Sequence, residues 1–183
     1  MILLYIGFFC YGLFILPMPT FIMRKIIITP AKSSLVGELP NGCKLCITGE
    51  KLVVFVSGLC PRDCFYCTLS DKRKNVDSMW ANEQPISCDE DILKEARLCQ
   101  AKGAGITGGE PLLPETIKKT LNCIVLLKKT FGKTFHIHLY TSGIGMTELV
   151  LKQLEDAGLD EIRFHLDVEH EERWKILVPV LKH

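Results

Sequence analysis

The chain has almost no charge of one sign to spare. Its 183 residues carry 22 Lys and Arg against 21 Asp and Glu, a formal charge of +1. No electrostatic excess therefore points to nucleic acid or to an acidic partner. The sequence also lacks internal repeats, low-complexity tracts and an interdomain linker. Two nucleotide or metal motifs are begun and not completed. Gly132-Lys133-Thr134 resembles the end of a phosphate loop, but position 127 is Leu where the opening glycine belongs. His170-Glu171-Glu172 lacks the second histidine of a zinc protease.

Charge is missing entirely from residues 1–22, where 17 positions are hydrophobic. Such a run is long enough for a bilayer core, which takes about 20 residues. No Lys or Arg precedes it and no Ala-x-Ala-like site follows, so a signal peptide fits poorly. It reads either as an anchor, with Arg24 and Lys25 holding the domain in the cytoplasm, or as sequence upstream of a start at Met23. Gly7, Gly12, Pro17 and Pro19 weaken it as a helix. The rest has the apolar content of one ordinary globular domain. The expected layout is a leader at 1–22, an extension at 23–50 and a core at 51–183.

Nine cysteines, at 10, 43, 46, 60, 64, 67, 88, 99 and 123, are too few for a disulfide scaffold and odd in number. Five fall between 43 and 67, the clustering that lets thiolates converge on metal. Thiolates kept for metal imply a reducing compartment, hence a cytoplasmic location unless residues 1–22 anchor the chain. Cys88, Cys99 and Cys123 are scattered and read as small buried hydrophobes.

Strand and helix patterns alternate. Strands are expected at 51–57, 105–107, 134–141 and 161–167, and helices at 89–101, stopped by Gly103, at 114–131, at 147–157 and over 169–181. Residues 71–88 read as polar and irregular. The fold class is α/β: a parallel (βα)n sheet with right-handed crossovers. Four units are too few for a closed barrel, which needs about 250 residues, so an open sheet or partial TIM-like barrel is expected.

Cys60-Pro-Arg-Asp-Cys64-Phe-Tyr-Cys67 follows the first strand with the spacing C-x3-C-x2-C. Three thiolates on one loop can hold three irons of a cubane cluster and leave the fourth open. The alternative is zinc: Cys43-x2-Cys46 and Cys64-x2-Cys67, 17 residues apart, fit a two-knuckle site in a non-catalytic interaction module. That reading leaves Cys60 and the next motif unexplained.

This cysteine spacing, with Tyr66 just before the last cysteine and Gly108-Gly109-Glu110-Pro111 after the next strand, resembles the radical S-adenosylmethionine (SAM) superfamily over roughly residues 46–183. Gly58-Leu59-Cys60-Pro61, Ile106-Thr107-Gly108-Gly109 and the run from His136 to Thr141 resemble an archaeal-type subgroup related to pyruvate formate-lyase activating enzymes. The resemblance implies a 4Fe–4S cluster on Cys60, Cys64 and Cys67. It implies SAM held by the Gly108 and Gly109 backbone and the Glu110 carboxylate, with Tyr66 beside the adenine. It also implies a reducing electron donor and an unassigned substrate, protein or small molecule, attacked by a 5′-deoxyadenosyl radical. The family's barrel has more βα units than are visible here.

Alternation adds one further pattern. His136, His138 and Tyr140 share one face of their strand, and Arg163, His165 and Asp167 share one face of the next. Parallel strands covered by helices are usually apolar on both sides. These polar faces are expected to wall a substrate or SAM cavity and to supply the catalytic residues, with a solvated face or a metal shared by His136 and His138 as alternatives.

Overall fold

The computed structural model describes residues 25–29, 32 and 34–165. The apolar leader, the helix expected over 169–181 and Asp167 lie outside these residues. No helix among the described residues is long and apolar enough to cross a membrane. Two compact units divide the chain at residue 38. Within the first, β1 (Ile26–Ile28) pairs antiparallel with β2 (Ser34–Val36).

The second unit opens with α1 (Asn41–Thr48), which carries Cys43 and Cys46 and closes on Gly49 at φ 74°. β3 (Lys51–Phe55) follows, then the cysteine loop. The stretch expected to be irregular holds a hairpin, β4 (Met79–Ala81) and β5 (Gln84–Ile86), turned at Asn82 with φ 49°. Strands of three residues, one containing Pro85, are too short to show alternation. Then come α2 (Asp89–Leu98), β6 (Gly103–Thr107), α3 (Ile117–Phe131), β7 (His136–Thr141), α4 (Glu148–Ala157) and β8 (Glu161–Phe164). The sheet order is β5-β4-β3-β6-β7-β8. Parallel ladders join β3, β6, β7 and β8, and antiparallel ladders join β3 to the hairpin. This is the expected α/β fold, a partial barrel of parallel βα units, with an unexpected antiparallel extension.

Two of the helices show a local cause for where they start. Asp89, Glu90 and Asp91 fill the first turn of α2, and the Asp91 carboxylate accepts from the backbone N–H of Ser87 (2.8 Å) and Cys88 (3.0 Å). α2 ends earlier than expected, at Leu98, because Gln100 takes φ 50°. Gly103, expected to stop α2, is instead the first residue of β6, where a Cβ would strike the His136 carbonyl. α4 starts on Thr147, whose hydroxyl accepts from Val150 N–H, and stops at Gly158 with φ 96°.

The two faces of the sheet differ. Leu52, Val54, Ala104, Ile106, Ile137 and Leu139 point to one side and pack with Ile92, Ala96, Ile124, Leu127 and Leu154 of the helices in a fully buried core. The opposite face carries Lys51, Val53, Gly105, His136, His138, Tyr140, Glu161 and Arg163. α1 lies over its lower end: a Cβ on Gly42 would meet His138 Nδ1, Arg163 Nη2 and Lys51 Nζ.

Candidate functional site

The C-terminal ends of β3, β6, β7 and β8 surround a cavity of about 400 Å³ whose lining includes Cys60, Cys64, Cys67, Gly108 and Gly109. Ligand crevices in such sheets open at these strand ends, and the volume lies in the range of small-molecule sites. Cys60, Cys64 and Cys67 are free thiols. Burial pushes the Cys60 thiol up from its ordinary value, and the negative charges of Glu110 and Cys64 act the same way. Cys43 and Cys46 are on α1 and do not line the cavity.

Backbone bonds lock the Gly-Gly turn to the cysteine loop. Gly109 N–H donates to the Ser57 carbonyl and Glu110 N–H to the Leu59 carbonyl, both at 2.8 Å. A Cβ on Gly108 would approach the Ser57 carbonyl to 2.6 Å, and one on Gly109 would strike the Leu59 carbonyl. Glycine is required here so that the two segments can lie against one another. Arg62 Nη2 donates to the Ser142 carbonyl at 3.4 Å, tying the loop to the exit of β7. Tyr66 reaches His165, with its hydroxyl 3.2 Å from Nε2.

Glu110, expected at the SAM ammonium, lies behind the wall and is 1% exposed. One carboxylate oxygen accepts from Leu112 N–H (3.2 Å) and the Thr141 hydroxyl (2.6 Å). The other accepts from Ser142 N–H (2.9 Å) and the Ser142 hydroxyl (2.5 Å). Glu110 thus fixes Thr141 and Ser142, two lining residues that alternation did not flag.

The polar strand face divides into two levels. Tyr140 and His165 reach the cavity, as expected. His136, His138 and Arg163 do not line it: His138 is 1% exposed, and α1 covers its Nδ1. Lys51 Nζ lies 2.5 Å from His138 Nδ1 and 3.2 Å from the Gly42 carbonyl. Arg163 donates to Glu161 (2.5 Å), to the Tyr140 hydroxyl (2.8 Å) and to Cys43 Sγ (3.2 Å). Burial drives His138 down to about 3, and the neighbouring Lys51 and Arg163 charges reinforce this. Burial, then Lys51, also lowers His136. Sequence reading missed Lys51 and Glu161. The signal for Glu161 was present, since it shares parity with Arg163; Lys51 sits in an apolar run that gave no polar periodicity.

The sequence profile of the radical SAM superfamily matches residues 54–182. The chain belongs to that superfamily. Over 128 residues it is 51% identical to a protein of Methanocaldococcus jannaschii named as a candidate glycyl-radical enzyme activating enzyme, covering 70% of this chain and 33% of the relative. The chain thus spans about a third of the length of that relative. No solved structure matches it. The expected kinship with activating enzymes is therefore shown.

The two-knuckle zinc reading takes Cys43 and Cys46 with Cys64 and Cys67, but only the second pair lines the cavity. A tetrahedral zinc, with Zn–S bonds of about 2.3 Å, brings its sulfurs to within about 4 Å of one another. Among the described residues, the group of three potential ligands with atoms all within 4.8 Å of one another is His136, His138 and Glu161. Cys60, Cys64 and Cys67 are not such a group but line one cavity together, and three thiols on one loop are a donor set that an iron–sulfur cluster takes.

Proposed function

We propose that Cys60, Cys64 and Cys67 hold a 4Fe–4S cluster and that Gly108, Gly109 and Tyr66 border SAM beside it. The observation that carries this reading is the convergence of three free thiols and a glycine turn on one cavity. The cluster and SAM together would supply a 5′-deoxyadenosyl radical, given an electron from a low-potential donor. The chain's own part is positional. Gly108 and Gly109 let the turn pack against the loop that bears Cys60. Glu110 holds Thr141 and Ser142 in the wall, and Tyr66 with His165 covers one side. Tyr140 and His165 face the space where a substrate hydrogen would be presented.

The relative's name favours a polypeptide substrate, the glycine-bearing segment of a partner enzyme, over a small metabolite. Thiolate ligation favours the reducing cytoplasm. The test is anaerobic reconstitution with iron and sulfide, then addition of dithionite and SAM, with 5′-deoxyadenosine read by chromatography. A brown protein that bleaches with dithionite and releases 5′-deoxyadenosine is expected. A colourless protein holding stoichiometric zinc on these cysteines would overturn the reading in favour of the interaction module.

A further inference from the structure

We propose that His136, His138 and Glu161 form a binding site for a divalent transition-metal ion at the base of the sheet, apart from the cysteine cavity. The strand register builds it. His138 and Glu161 are paired positions on the adjacent parallel strands β7 and β8, and His136 precedes His138 by one side-chain repeat on the same face. One ligand atom from each lies within 4.8 Å of the others, and His136 Nε2 is 3.3 Å from Glu161 Oε2. Two imidazoles and one carboxylate are a donor set that zinc and ferrous iron take with positions left open for water.

One further observation points to a ligand. His136 Nδ1 is buried and, among the described residues, has no hydrogen-bond partner, a costly state for a ring nitrogen. His138 Nδ1 is held by Lys51 Nζ at 2.5 Å, so an ion binding at this atom competes with that lysine. His136 itself borders a second cavity of about 560 Å³, with Asn41, Lys44 and Lys102.

The charges nearby define the competition. Arg163 is turned to Glu161 Oε1, Tyr140 and Cys43. Lys51 holds the position on His138 that an ion would take, and on displacement it keeps the Gly42 carbonyl as acceptor. Lys51 is therefore the residue that sets affinity, and removing its ammonium should strengthen binding.

The test uses the full chain with Cys60, Cys64 and Cys67 replaced by Ala, so that failure of the cluster assignment cannot affect the result. Cobalt(II) is titrated in anaerobically, and bound metal is measured with the visible spectrum. One cobalt per chain is expected, with ligand-field bands and no thiolate charge-transfer band. His136→Gln and Glu161→Gln should each weaken binding about tenfold or more, and Lys51→Met should tighten it, with circular dichroism showing each variant folded. No retained cobalt, affinity unchanged in both glutamine variants, a thiolate band, or binding only in Lys51→Met would overturn the site.

Discussion

Cys123 and Cys88 show how far a residue type carries an argument. Both read as small buried hydrophobes. Cys123 is one: 2% exposed in the core, with burial pushing its thiol up to about 12. Cys88 is exposed and precedes α2, where it stands at the N-cap. Spacing separates neither from the other, because burial depends on which helix face meets the sheet. Gly109 is the opposite case. Its motif was legible, and the structure supplies a packing reason for the glycine, contact with the Leu59 carbonyl, beside the cavity it lines. Gly109→Ala is therefore expected to push the cysteine loop away from β6. The measurement is iron per chain after anaerobic reconstitution, which should fall several-fold with far-ultraviolet circular dichroism unchanged. Full iron loading of the variant would refute the packing argument.

At the scale of elements, terminal chemistry decides where helices begin. Asp91 accepts two backbone N–H groups at the head of α2, and these bonds hold its carboxyl below the ordinary value of 3.8. A carboxyl whose folded value is depressed stabilises the fold above its unfolded value and loses that contribution as pH falls through the folded one. Stability should thus decline below about pH 4 partly through α2. Asp91→Ala should lower Tm at pH 7 and show a smaller drop between pH 5 and pH 3 than the wild type, as read by thermal melts. An identical drop would exclude Asp91 from the acid response. The helices α2, α3 and α4 were legible because each has an amphipathic stretch, opened by acids in α2 and punctuated by Thr and Gly in α3 and α4. The helix α1 and the hairpin β4–β5 were not, since eight residues around a CxxC and two three-residue strands are too brief for a period to emerge.

Over the whole molecule, one sheet serves two environments. Its apolar side carries the stability: Leu127 is fully buried between α3 and the strands. Leu127→Ala should cost about 2–5 kcal/mol, the range for large-to-small core changes, measured by urea unfolding. A cost under about 1 kcal/mol would show that the α3 contact is not part of the core. The other side is polar and is used at both ends, with the cysteine cavity above and the histidine cluster below.

Sequence alone determined the alternation of strands and helices, the cysteine loop and glycine turn that mark the superfamily, and the parity that puts histidines, Tyr140 and Arg163 on one side. These are local properties, written in spacing and period. Only the tertiary structure decided that the polar face has two levels, that α1 closes the lower one, that Glu110 turns inward to hold Thr141 and Ser142, and that Lys51 and Glu161 join the histidines. Such contacts unite residues tens of positions apart. They depend on which strands become neighbours and in what register, and no periodicity within a single segment encodes that.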